Sequence, residues 1–125
     1  MPRRPLPAAF LEGLRLYQAG EFWESHEAWE EVWRVAAGSE RHFYQGLIQI
    51  DAALIHTQRA HWGGVATLLT RSLGHLEACP RRLLGLNVAN LRKQLRAYRR
   101  HILKLRDGSV EDFDWTKQPK LEVRA

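Results

Sequence analysis

Cysteine is nearly absent from this 125-residue chain, which contains only Cys79. A single cysteine excludes an internal disulfide and a cysteine-rich zinc site. No apolar run approaches the ~20 residues that cross a bilayer, and no apolar segment follows the basic N-terminus as in a secretory signal. No glycine-rich phosphate loop precedes a helix, which argues against a nucleotide-dependent enzyme. We therefore expect a cytoplasmic protein without a membrane partner.

The charge of the chain is unevenly distributed. The composition is that of a globular protein, with 45% hydrophobic and 26% charged residues and a net charge of +5. Residues 21–40 carry six acids and one base, whereas residues 81–106 carry nine bases and no acid. Such asymmetry is compatible with a nucleic-acid or acidic protein partner. The interpretation that it favours is a solvated basic face that also pairs with the acidic helix.

Apolar residues recur at helical spacing along almost the whole chain, and no segment alternates as a strand would. The pattern predicts five helices, over residues 10–20, 21–37, 39–62, 65–79 and 87–105. Ser39 is the predicted N-cap of the third helix, the glycines at 63–64 its end, and Asn87 the N-cap of the fifth.

Short connections make neighbouring helices antiparallel, so we expect an all-α fold, a compact antiparallel bundle of about five helices. Residues 1–125 form one predicted domain, with its core at about 8–106 and a short irregular tail at 107–125. The tail is expected to pack Phe113 or Trp115 onto the bundle, or to be loose. Apolar residues repeat at heptad spacing in the fifth helix, and this seam packs on its own bundle or forms a homodimer.

Three polar residues on the second helix, His26, Glu27 and Glu30, form what we call the α2 stripe. His26 and Glu30 lie one turn apart, inside an apolar arc that includes Trp29 and Trp33. Because burying an unpaired carboxylate is costly, Glu30 must be paired, protonated or bound to a cation. The structural alternative is a pair with His26 or with a nearby arginine.

Three polar residues of the third helix, Gln45, Gln49 and His56, also share one narrow stripe, flanked by small residues. In an antiparallel hairpin this stripe faces the α2 stripe. The arrangement predicts either a hydrogen-bond network that fixes the helix register or a binding pocket. Two imidazoles with carboxylates suit zinc, manganese or iron. The spacing matches neither the zincin motif nor the ferritin-like motif, so spacing alone indicates a metal only weakly.

Other candidate residues fit structural roles better. Asp51 lies between apolar arcs of the third helix and is interpreted as the partner of a base, with catalysis as the alternative. The remaining histidines are scattered and are interpreted as surface or packing residues; they are His42, His61, His75 and His101.

The segment GEFWESHEAWEEVW at residues 20–33, followed by YQGLIQ at 44–49 and by His56, resembles the domain-of-unknown-function 309 family. Its members are small helical bacterial and archaeal proteins that are often labelled predicted metal-dependent hydrolases. The resemblance covers roughly residues 8–78. It implies functional positions at the α2 stripe and at the stripe of the third helix. Asp51 stands where the family pattern has a small apolar residue.

Two classes of function follow. The first is a metal-dependent hydrolase acting on a small-molecule substrate, with a divalent zinc, manganese or iron ion held by His26, Glu30 and His56. Glu27 would be the general base, and the substrate or outer ligand sphere would be contacted by Gln45, Gln49, Trp23 and Trp33.

The second class is a non-enzymatic binding module. Its surface would be the basic face of the fifth helix, which suits nucleic acid or an acidic protein. That face consists of Arg92, Lys93, Arg96, Arg99, Arg100, Lys104 and Arg106. A groove that binds a small ligand or a peptide without turnover is a third reading of the polar cluster.

Overall fold

The computed structural model describes residues 5–124, and helices account for most of them. The elements are α1 (Ala8–Gln18), α2 (Phe22–Val35), α3 (Gly38–Gln58), α4 (Trp62–Glu77), β1 (Arg82–Leu83), β2 (Leu86–Asn87), α5 (Val88–Arg106) and a 3₁₀ turn (Trp115–Lys117). Five helices are thus present in the described part of the chain, and the predicted all-α class is confirmed.

Each helix packs mainly on the next one along the chain. The two-residue link between α2 and α3 and the three-residue link between α3 and α4 make these neighbours antiparallel. α3 packs against both α2 and α4, and its buried residues cover most of its circumference, as expected of a central helix. The core around it includes the fully buried side chains of Trp29, Phe43, Tyr44 and Leu47.

The predicted boundary between the third and fourth helices is wrong. α3 ends at Gln58, the turn lies at residues 59–61, and α4 begins at Trp62. Gly63 and Gly64 therefore lie in the first turn of α4. The missing side chain of Gly64 leaves room for the ring of His56. A Cβ added at Gly64 would lie 3.2 Å from His56 Nδ1. The predicted cap is wrong as well, since Ala37 is the N-cap of α3 and Ser39 lies within the helix.

A short antiparallel hairpin corrects the expectation that the chain has no strands. Arg82 pairs with Asn87, and Leu83 pairs with Leu86. The connecting residues Leu84 (φ 52°) and Gly85 (φ 78°) both have positive φ, the conformation of a two-residue type I′ turn. The sequence did not predict this turn, because leucine is rare at the first central position of a type I′ turn.

The C-terminal segment returns across the bundle. Arg124 donates its backbone N–H to the carbonyl of Gly85 (2.8 Å), and Leu121 is buried. The Tyr17 hydroxyl of α1 donates to the carbonyl of Pro119. Phe113 stacks on Trp62 with its ring centroid 6.2 Å away, which confirms one of the expected tail contacts.

α5 begins as predicted, because the Asn87 side chain accepts a hydrogen bond from the backbone N–H of Asn90 (2.9 Å). Its heptad seam is buried within the same chain, so this seam is not free to form a homodimer. The seam consists of Val88, Leu91, Leu95, Tyr98, Ile102 and Leu105. None of the helices in the described residues is long and apolar enough to span a membrane.

Candidate functional site

The α2 stripe contains a close imidazole–carboxylate pair. His26 Nε2 lies 3.0 Å from Glu30 Oε1, one helical turn away, and Arg34 approaches the other Glu30 oxygen at 3.8 Å. The ring of Trp23 packs on His26 with centroids 5.4 Å apart. His26 Nδ1 is buried and has no hydrogen-bond partner within residues 5–124. The carboxylate of Glu30 is therefore paired, as the structural alternative required, and His26 has no ring nitrogen both free and accessible.

His56 lies apart from this pair. Ser25 and Asp51 are neighbours across the α2–α3 contact, and this register puts His56 about six residues, or about 9 Å, beyond the level of His26. The His56 ring instead packs near His61, with centroids 5.7 Å apart, and against Gly64. Among the described residues no three His, Cys, Asp or Glu side chains gather into a group that could hold a metal ion. The predicted ligands His26, Glu30 and His56 do not fit a shared metal site.

The other predicted site residues are divided between different surroundings. Glu27 is exposed on α2, and Trp23 is 60% exposed. Gln49 is partly buried, and its side-chain oxygen has no hydrogen-bond partner in the described chain. Gln45 and Trp33 line a separate cavity between α3 and α4. The functional roles assigned to these residues remain predictions.

Trp29, which the sequence placed on the same face, is a core residue. Its side chain is fully buried, and its Nε1 donates to the carbonyl of Phe10 (3.2 Å). It fixes the crossing of α1 over α2.

Asp51 is the most unusual polar group of the core. It is fully buried, and neither of its carboxyl oxygens has a hydrogen-bond partner within residues 5–124, so the predicted pairing with a base is wrong. Burial raises the pKa of Asp51 to about 8, and the neighbouring Ser25 hydroxyl offsets this only in part. Ser25 donates its hydrogen to the carbonyl of Gly13 (2.9 Å). A neutral, protonated Asp51 is the form that this site accommodates.

The cavity between α3 and α4 contains a histidine pair that the sequence did not indicate. His42 Nδ1 lies 2.9 Å from His75 Nδ1, at the edge of a cavity of about 280 Å³. The cavity is lined by Trp33, Gly38, Arg41, His42, Gln45 and His75. Burial, and next the charge of His42, lower the pKa of His75, so its imidazole is neutral at pH 7.

A basic groove lies between α4 and α5, with a volume of about 550 Å³. We call it the α4–α5 groove, and it is lined by Ala66, Thr67, Thr70, Arg71, Arg99, Leu103 and Arg106. Arg99 reaches the Thr70 hydroxyl at 3.5 Å, and no carboxylate of residues 5–124 lines the groove. In residues 5–124 no Lys or Arg of α5 lies within 4 Å of a carboxylate, so the expected pairing with the acidic helix is not formed.

One base of the predicted surface has a structural role. Arg92 donates to the carbonyl of Leu76 (2.8 Å) and approaches that of Cys79 (3.5 Å), which satisfies the C-terminal end of α4. Arg92 is therefore not part of the free basic surface. The groove also adds Arg71 of α4, which sequence reasoning missed because this base stands outside the basic run.

Comparison with known proteins shows what the first half of this chain is similar to. The family described as "Domain of unknown function (DUF309)" matches residues 10–68, which span α1, α2, α3 and the start of α4. The resemblance predicted from the motifs of α2 and α3 is thereby confirmed over these residues. The chain is also similar to the uncharacterized protein YpuF of Bacillus subtilis strain 168. The two are 28% identical over 120 aligned residues, which cover 85% of this chain and 69% of that protein.

Proposed function

We propose that this protein binds nucleic acid through the phosphate backbone and that the α4–α5 groove is the centre of the contact. The observation that supports this function best is the composition of the groove, to which the described residues contribute three arginines, two threonine hydroxyls and no acidic side chain. Arginine suits phosphate because its planar guanidinium presents several N–H donors in a fixed geometry.

The arginines of the groove are available to a ligand. Arg71 and Arg106 are exposed, and neither has a carboxylate within 4 Å in the described chain. Arg99 is half-buried and oriented by Thr70, so less side-chain freedom is lost when it binds. Leu103, 46% exposed, adds an apolar contact for a sugar or a base.

The basic surface extends beyond the groove along the outer face of α5. Lys93, Arg96, Arg100 and Lys104 are exposed there, on the same helix as Arg99 and Arg106. Aromatic residues do not alternate with these bases, since Tyr98 is buried in the seam. The chemistry therefore favours contact with phosphates over reading of bases.

Removing two groove charges should weaken binding strongly. For the variant Arg71→Ala/Arg106→Ala we expect a loss of about tenfold or more in affinity for a fluorescent 20-nucleotide strand, because two phosphate contacts disappear. The magnitude of the slope of log affinity against log salt should fall by about 1.5. Each lost phosphate contact contributes about 0.7 to 0.9 to this slope. Fluorescence anisotropy between 50 and 200 mM salt measures both quantities.

The control is Arg15→Ala/Arg34→Ala, which removes the same charge from α1 and α2, where both arginines approach glutamates. Its binding should remain within about twofold of the wild type, apart from the small effect of net charge. Equal losses in the two double variants would reject the groove. If the protein binds polyglutamate but neither DNA nor RNA, the proposed nucleic-acid partner is wrong and an acidic protein is the better candidate.

A second candidate is the metal-dependent hydrolase expected from the family resemblance. The observation in its favour is the His26–Glu30 contact of 3.0 Å beside the exposed Trp23. The described residues supply no third His, Cys, Asp or Glu ligand there, so water or the substrate would have to complete the coordination of a metal. Metal content of tag-free protein, measured by mass spectrometry, tests it. Near-stoichiometric metal that Glu30→Ala and His26→Ala both lose would support it, and full retention in both variants would exclude it.

A further inference from the structure

Two histidines from different helices face each other through the same ring atom. His42 is exposed in the first half of α3, and His75 is half-buried in the last turn of α4. Their Nδ1 atoms are 2.9 Å apart, and the rings are tilted by 34° with centroids 5.2 Å apart. The two Nδ1 atoms thus lie next to each other across the contact between α3 and α4.

The separation of the two nitrogens suits two ligands of one ion. Metal–imidazole bonds are about 2.0–2.1 Å long, so two nitrogens at right angles around an ion are about 2.9 Å apart. Right-angled nitrogen ligands are typical of the tetragonal sites of Cu(II) and Ni(II). A neutral Nδ1–H···Nδ1 hydrogen bond has a similar length, and it is the competing explanation of the contact.

The surroundings leave room for further ligands. The cavity beside the pair has a volume of about 280 Å³ and also contains Gln45, one turn from His42, whose amide oxygen is a possible neutral ligand. Among the described residues of the lining, Arg41 is the one lysine or arginine. It is turned onto the ring of Trp33, 4.1 Å from the ring centroid, and it donates to the Trp33 carbonyl (3.0 Å).

The backbone holds the pair in place. Gly46 lies one turn after His42, and the Ser72 hydroxyl of α4 donates to its carbonyl at 2.8 Å. The Cys79 thiol contacts the carbonyl of Ser39 at 3.3 Å on the other side of the pair. These two contacts fix the register of α3 against α4 above and below the histidines, so the imidazoles are preorganised.

We propose that His42 and His75 form a two-histidine site for a late first-row transition metal, with Cu(II) or Ni(II) as the preferred ions. The site is separate from the α2 stripe and from the α4–α5 groove. Imidazole nitrogens bind these ions well, and water occupies the open positions.

Titration of tag-free protein with Cu(II), in a buffer with glycine as a weak competitor, tests the proposal. Wild-type protein should bind one ion per chain, and its electron paramagnetic resonance spectrum should show coupling to two imidazole nitrogens. His42→Ala and His75→Ala should each lower the affinity at least tenfold, because one of the two protein ligands is lost. His42 is exposed, so its variant isolates the site from any effect on folding.

The matched control is His61→Ala, which removes an exposed imidazole whose ring lies near that of His56 but has no nitrogen-to-nitrogen contact. The affinity of His61→Ala for Cu(II) should equal that of the wild type. The proposal is overturned if His42→Ala/His75→Ala binds Cu(II) as tightly as the wild type, or if His61→Ala loses as much affinity as His42→Ala. Competition with Ni(II) at the same site, lost in the same two variants, would support the assignment.

Discussion

Replacing Asp51 with asparagine should stabilise the protein at neutral pH by on the order of 4 kcal/mol. The unfolded chain ionises Asp51 near its ordinary pKa of 3.8, whereas burial raises the folded-state pKa to about 8. Between these two values the folded protein binds a proton that the unfolded chain has released. The contribution of Asp51 to the free energy of unfolding is therefore fully present below about pH 4. It falls by about 1.4 kcal/mol for each pH unit up to about pH 8.

Urea denaturation at pH 4, 5, 6, 7 and 8 measures this effect. Asp51→Asn keeps the shape of the neutral acid and cannot ionise, so its free energy of unfolding should change much less across this range. The two proteins should have similar stability at pH 4 and differ most at pH 8. Asp112→Asn, which removes an exposed carboxylate, serves as the control and should keep the wild-type profile. Parallel profiles for Asp51→Asn and the wild type would contradict a protonated Asp51.

Gly13→Ala should be among the most destabilising small substitutions in this chain, with a loss of about 3 kcal/mol. A Cβ built at Gly13 would lie 2.1 Å from Trp29 Nε1 and 2.4 Å from Cδ1. The indole is fully buried and is held by its hydrogen bond to Phe10, so it cannot move away without breaking that bond and repacking the core. The clash forces α1 away from α2.

Alanine normally favours a helix over glycine, so the expected sign is opposite to that of helix propensity. Gly74 of α4 provides the matched control, because a Cβ there meets no atom within 4 Å. Gly74→Ala should raise the free energy of unfolding by up to about 1 kcal/mol. Thermal and urea denaturation of both variants compares the two effects. Equal shifts in the same direction would show that the contact between Gly13 and Trp29 does not limit the approach of the two helices.

Local patterns in the sequence predict much of this fold, because each helix carries its own apolar periodicity and several carry their own end signals. The seam of α5 and its Asn87 cap are correct for this reason. The predicted position of the turn between α3 and α4 is wrong because a glycine can either end a helix or make room for a neighbouring side chain. At Gly64 the missing side chain allows the ring of His56 to approach, and the turn itself lies at residues 59–61, where Ala60 has a φ of 55°.

Because the position of the α3–α4 turn was wrong, the contact between His42 and His75 could not be predicted either. With a turn at residues 63–64, an antiparallel α3–α4 hairpin would place His42 opposite a position roughly ten residues beyond His75. With the turn at its true position, Ser72 lies beside Gly46 and His75 beside His42. The spacing of polar residues on a single helix gives no information on such a pair, since its register depends on the length of the connection.

In the α2 stripe, by contrast, the sequence predicted a contact that the structure contains. The helical wheel placed His26 and Glu30 together, and they are in contact at 3.0 Å. It also aligned Gln45, Gln49 and His56, but angular position on α3 does not determine height along the helix pair. His56 therefore contacts α4 and not the α2 stripe. The interpretation of Asp51 as the partner of a base is wrong because its neighbours come from other helices, Tyr17 from α1 and Ser25 from α2.

The order in which the helices pack has a consequence for the kinetics of folding. Because α1 to α5 each pack mainly on their sequence neighbours, most native contacts close short loops, which is typical of fast-folding helical domains. The C-terminal segment is the exception. The contacts of Tyr17 with Pro119 and of Gln18 with Leu121 join residues more than 100 positions apart, and closing that loop costs the most chain entropy. We therefore expect this segment to dock last in folding and to detach first in unfolding.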